Sequence, residues 1–146
     1  MTSVNEQRTP YEIMGEDGIR RLVNAFYDIM ESSPDAEDIR AMHAADLTPM
    51  RRMLTAYLTT WMGGPPVYIA LKGSMCLTDA HAAFHIGPAA RDQWLACMEK
   101  ALDTIDADES LKALLAVPFQ RVAEAVQNRP SNRAGSADEV VLIAKG

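Results

Sequence analysis

Three histidines are the side chains in this 146-residue sequence best suited to metal or proton chemistry: His43, His81 and His85. A neutral imidazole binds transition metals through one nitrogen while a hydrogen bond orients the other. His81 and His85 stand i, i+4, which on a helix turns both rings to one side, as in a zinc pair. Gly87-Pro88 follows at once, so His85 is expected on the way out of that helix. No carboxylate or thiolate joins the pair at zinc-ligand spacing. Cys76 and Cys97 form no C-x-x-C and read as two reduced, part-buried thiols. A G-x-S-x-G turn and a glycine-rich phosphate loop are both missing. Gly63-Gly64 closes a helix rather than opening one, so it offers no anion nest at a helix N-terminus.

Those residues must be held by a single domain: 146 residues, 48% of them hydrophobic, suffice for one core. Nine methionines make that core tolerant of irregular gaps, which suits a cavity or a flat ligand as well as plain packing. The net charge of −6 and the lack of a basic cluster larger than Arg51-Arg52 argue against nucleic acid. The first residues are polar and acidic with no apolar targeting segment, and no run approaches the roughly 20 apolar residues of a membrane span. A cytoplasmic protein off the membrane, monomer or homodimer, is the expectation.

The periodicity is helical nearly throughout. Ile19, Leu22, Val23, Phe26, Tyr27 and Met30 line one helix face, and Pro34 lies past its end. Pro34 to Arg40 is an acidic stretch of one or two turns. Leu47, Met50, Leu54, Tyr57, Leu58 and Trp61 form a second stripe, with Thr48-Pro49 as cap and first helical residue. Gly63-Gly64-Pro65-Pro66 ends it. Residues 67–80 read as a short helix and loop with Gly73 in the turn. Pro88 opens a long helix whose stripe is Trp94, Leu95, Met98, Ala101, Leu102 and Ile105. After a polar break at 106–109, Leu111, Leu114, Leu115, Phe119, Val122 and Val126 make a last helix, which Pro118 should kink. Val140 to Ile143 is open between an edge strand, a docking segment and disorder. The result is an all-α domain of four or five helices.

The order of motifs resembles the truncated haemoglobins of group II. Phe26-Tyr27, then Gly63-Gly64-Pro65 with Tyr68, then His81-x-x-Phe84-x-Ile86, then Arg91-Asp92-x-Trp94-Leu95-x-Cys97-Met98 recur in that family's order, between about Gly15 and Leu102. The resemblance implies a two-over-two helical sandwich over residues 1–128, with a C-terminal extension over 129–146 as a flexible or docking tail. It implies one b-type haem, held without thioether bonds since no C-x-x-C-H is present. His81 is then the iron ligand on the proximal side. Tyr27 and Trp94 become distal donors to a bound diatomic ligand, and His43 completes a polar trio. Leu54 and Met50 fall over the distal face, and Tyr57 stands where a phenylalanine is usual. Tyr68, Lys72, Leu77, Phe84, Ile86 and Met98 complete the set expected to line the haem.

One segment departs from the pattern. Before the proximal ligand the family carries two arginines that meet the haem propionates, and here Thr78 and Ala80 replace them while Asp79 adds a negative charge. Each such charge-assisted contact contributes about 1.5–3 kcal/mol in a sheltered site. Lys72 is a candidate replacement. Three readings follow. The first is a binder of dioxygen, nitric oxide or carbon monoxide. The second is a nitric-oxide dioxygenase or peroxidase-like enzyme that needs an external reductase. The third is a globin-like module that has lost stable haem binding and acts through protein contacts.

Overall fold

The computed structural model describes residues 8–76 and 86–127. Among them lie six α-helices and no strand. Helix α1 (Pro10–Ser32) begins with a reciprocal cap. The Thr9 hydroxyl accepts the Glu12 N–H at 3.1 Å and the Glu12 carboxylate accepts the Thr9 N–H at 2.9 Å. Pro10 fits the first turn, where its missing N–H has no helical partner to lose. The helix breaks at Gly15, whose φ of 74° an L side chain adopts only under strain. Beyond it the predicted stripe from Ile19 to Met30 is buried.

A 3₁₀ turn (Pro34–Ala36) and the short helix α2 (Glu37–Ala41) occupy the acidic stretch, as expected. Helix α3 (Thr48–Trp61) starts one residue before the expected position. Leu47 takes the cap place with no side-chain bond, and Asp46 instead accepts the Thr48 N–H at 3.0 Å. Helix α4 (Val67–Lys72) ends on Gly73 in the left-handed conformation. Helix α5 (Pro88–Thr104) opens on its proline as predicted.

Helix α6 (Glu109–Val126) stays helical through Pro118. The carbonyl that Pro118 cannot serve belongs to Leu114, which is exposed, so water can take the place of the lost bond. The α6 stripe is also narrower than predicted: Leu111, Leu115, Phe119 and Ala123 are buried, whereas Leu114 is 46% exposed. The expectations for 77–85, and for the tail beyond 127 with its Val140–Ile143 run, lie outside the described residues.

Helix α1 is the centre of the packing, between α5 and α3, with α4 on α3 and α6 on α5. Phe26, Ile19, Leu22, Val23, Met30, Leu58, Met62, Met98 and Leu115 are its largest fully buried side chains. Gly63-Gly64 has a tertiary role besides stopping α3. A Cβ on Gly64 would stand 2.6 Å from the Tyr11 ring, and one on Gly63 would stand 3.0 Å from Thr9. Tyr11 N–H donates to the Met62 carbonyl at 3.0 Å. The glycine pair thus seats the start of α1 on the end of α3.

Candidate functional site

Six rings run in edge and stacked contact through the described residues. His43 meets Tyr27 at 5.7 Å between centroids, Tyr27 meets Phe26 at 5.0 Å, and Phe26 meets Trp94 at 5.5 Å. Trp94 meets Phe119 at 5.8 Å, and Phe119 stacks on Trp61 at 5.0 Å and 14°. The three residues predicted as a distal trio, Tyr27, His43 and Trp94, are therefore joined through Phe26. Helix α1 supplies the adjacent pair Phe26-Tyr27, α5 supplies Trp94, and the turn after α2 supplies His43.

Each member of the trio is held from its neighbours. His43 Nδ1 lies 2.7 Å from the Ile39 carbonyl; a carbonyl only accepts, so Nδ1 carries the hydrogen and a neutral ring keeps its lone pair on Nε2. The Ile39 N–H in turn donates to the Gln93 side-chain oxygen at 3.2 Å, and the Gln93 amide donates to Asp38 at 3.0 Å. Gln93 of α5 thus holds two adjacent residues of α2, Asp38 and Ile39, and the Ile39 carbonyl holds the His43 ring. Tyr27 is 3% exposed, and burial pushes its phenol well above the ordinary tyrosine value while the Arg51 charge pulls the other way. The phenol is a neutral donor at any pH near 7.

A second aromatic pair lies on α3 and α4. Tyr57 and Tyr68 are both buried and meet edge to face at 5.0 Å. The turn between the two helices is tied by Thr60, whose hydroxyl accepts the Tyr68 N–H at 3.0 Å and lies 3.2 Å from both the Ala56 and Pro65 carbonyls. Burial raises the Tyr57 phenol, and Tyr68 adds to the shift.

The polar tips of these rings distinguish the site from a plain core. Among the described residues, no hydrogen bond satisfies the hydroxyls of Tyr27, Tyr57 and Tyr68 or the indole N–H of Trp94. Yet among the described residues no side-chain polar atom of a non-exposed residue is both fully occluded and unpartnered. These four groups therefore keep open surface at their tips while their rings are packed. A core that excludes water pairs such atoms; here water or a polar ligand can reach them.

The remaining predicted residues divide. Met98 and Ile86 are buried, and Leu54 is half-buried against the core. Met50 is 37% exposed in the first turn of α3, and Lys72 is exposed in the last turn of α4. Leu77, His81 and Phe84 lie outside the described residues. One neighbour of the site escaped the sequence reading. Arg51 sets its guanidinium carbon 5.7 Å from the centroid of the Tyr27 ring. Its only sequence signal is its place next to Met50, and nothing in the spacing to Tyr27 announces the contact.

An all-helical chain with this helix order and a ring-lined site across α1, α3 and α5 is of the globin class. The chain belongs to the bacterial-like globin family, whose model matches residues 9–128, and its relatives place it with the group II truncated haemoglobins. The group 2 truncated hemoglobin YjbI of Bacillus subtilis is 33% identical over 106 residues, 73% of this chain and 78% of that protein. The cold-adapted truncated hemoglobin of Pseudoalteromonas haloplanktis superposes with a TM-score of 0.81 at 35% identity, over 84% of this chain and all of that one. The group II 2-on-2 hemoglobin of Agrobacterium tumefaciens gives 0.80 at 37%, over 86% and 98%. A truncated oxygen-avid haemoglobin from Bacillus subtilis gives 0.76 at 30%, over 83% and 100%. The two-over-two sandwich expected from the sequence is the fold.

The residues fit the cofactor of that family. Met53, Leu54, Trp61, Met75 and Trp94 are apolar but only partly buried, and they pack on the core beside phenols whose hydroxyls stay open. Apolar walls with a few polar tips are what a flat, largely apolar group with one polar ligand requires.

Proposed function

We propose that this chain holds one b-type haem and binds a diatomic gas there, dioxygen foremost, with His81 as the proximal ligand. The observation that carries the reading is the Tyr27 hydroxyl: a donor on a buried ring, kept protonated by burial, with no partner among the described residues. When bound, haem supplies an iron centre that takes diatomic ligands in its reduced state and exchanges electrons between two oxidation states. The chain's own contribution is a dry wall with placed donors. Tyr27 offers its O–H and Trp94 its indole N–H to the distal ligand, and His43 closes the wall beside Tyr27. Each donor slows release of a ligand that carries partial negative charge. That a relative of 30% identity is named as oxygen-avid supports dioxygen over the other gases. Oxidation of nitric oxide by the same pocket would draw electrons from an external reductase, so gas binding is the primary reading.

The test is hemin titration of the full chain, followed by reduction and addition of carbon monoxide. The expected result is one haem per chain with a Soret band that shifts on carbon monoxide. A chain that stays colourless, or takes up hemin without saturating at one equivalent, overturns the proposal.

A further inference from the structure

We propose that Arg51 is a positioning residue for Tyr27, clamping the helix that carries it and strengthening its hydroxyl as a donor toward bound ligand. This inference rests on the haem-binding reading for its functional half only. Arg51 projects from α3 and meets α1 at two points that bracket Tyr27. One guanidinium nitrogen donates to both the carbonyl and the side-chain oxygen of Asn24, at 3.1 and 3.2 Å. The other donates to the Asp28 carboxylate at 2.8 Å. Asn24 and Asp28 are one helical turn apart and share a face, with Tyr27 beside Asp28. Three contacts from one planar fork fix the guanidinium, so its distance to the Tyr27 ring is set rather than incidental.

Two consequences follow for the phenol. The first is geometric. Tyr27 has no hydrogen bond among the described residues to hold its hydroxyl, so its direction depends on the packing of the ring between Phe26 and His43 and on the cation beside it. The second is electrostatic. A positive charge at the ring draws electron density from the oxygen and makes the O–H a stronger donor. The opposition between burial and the Arg51 charge noted for this phenol has the same sign. The Asp28 carboxylate offsets part of that field, and being more exposed than the guanidinium it is also better screened by water.

The test compares Arg51→Met, Arg51→Lys and wild type in two measurements. In haem-loaded, reduced protein with carbon monoxide, the C–O stretching frequency reports donation to the ligand. Arg51→Met should raise it toward the value of Tyr27→Phe and speed dioxygen release about fivefold, with haem content unchanged. Arg51→Lys, which keeps the charge but loses the fork, should fall between. In haem-free protein, melting of the single variants and of Arg51→Met/Tyr27→Leu should show coupling between the two positions. An unchanged stretching frequency in Arg51→Met overturns the electrostatic role, and strictly additive melting shifts overturn the clamp. If wild type takes up no haem, the functional proposal fails while the melting cycle still judges the clamp.

Discussion

The Tyr27 ring meets the His43 imidazole edge to face, with centroids 5.7 Å apart and planes at 76°. The two come from different elements, separated by the end of α1, a 3₁₀ turn and α2, and each is held independently. His43 is pinned through Ile39 to Gln93 of α5, and Tyr27 is packed against Phe26 and faced by Arg51. A donor arranged this way keeps its aim without an acceptor among the described residues, which in the proposed function leaves its hydroxyl for the ligand.

Replacing Tyr27 by Phe removes one oxygen and keeps the ring contacts. Dioxygen release from the haem-loaded chain should speed up about tenfold to a hundredfold, the range of one hydrogen bond to a partly charged acceptor. Thermal stability should change little, since no described residue loses a partner. Stopped-flow release together with a melting curve checks both halves. A slower or unchanged release would remove Tyr27 from the ligand site.

Alkaline pH should destabilise the fold through its buried phenols. Burial holds Tyr27 and Tyr57 above their ordinary value, so the unfolded chain loses those protons first. Above about pH 10 the unfolded state binds fewer protons than the native one, and stability falls as pH rises. Cys97, also raised by burial, starts the same trend somewhat earlier. Below that window these groups contribute no pH dependence. Unfolding in urea at pH 8 and at pH 10.5 measures the fall, and Tyr27→Phe should flatten it.

Gly64→Ala should destabilise the chain by about 1–3 kcal/mol, because its Cβ would meet the Tyr11 ring. In a Tyr11→Ala background the same change should cost much less. Equal costs in both backgrounds, read from denaturant midpoints, would show that the glycine serves only its own turn.

Phe119 stands between two tryptophans, stacked on Trp61 and edge-on to Trp94. Phe119→Leu should cost about 1–3 kcal/mol from lost ring contact and an imperfect fill. It should also change the fluorescence of the tryptophan pair. If Trp94 depends on Phe119 for its orientation, the C–O stretching frequency of the carbon monoxide form shifts as well.

The helices were legible because their apolar residues recur at helical spacing and their ends carry proline and glycine. Pro88 opening α5 and Gly73 closing α4 follow from backbone chemistry alone. Local chemistry misplaced one detail and left another open to packing. Thr48 has the cap residue type, but Asp46 reaches its N–H first. Pro118 lacks a hydrogen, but it lies on the solvent side of α6, where the helix continues. The Gly15 break in α1 was not expected, although Gly15 and the nearby Asp17-Gly18 are residue types that interrupt helices. Within the site, the meeting of Tyr27, His43 and Trp94 came from the family's motif order, since nothing in their separations of 16 and 51 residues implies contact. Arg51 over Tyr27 was illegible for the same reason: a contact between two helices depends on their crossing, which no single-helix pattern contains.

Haem binding as proposed depends on one imidazole, His81, holding the iron. The most direct measurement is the absorption spectrum of His81→Gly beside wild type, each titrated with hemin, reduced, and then given free imidazole. The account predicts a single tight haem in wild type, a weakened and altered spectrum in the variant, and recovery of the wild-type bands when imidazole enters the space the side chain left. A variant whose haem affinity and spectrum match wild type without imidazole would contradict it.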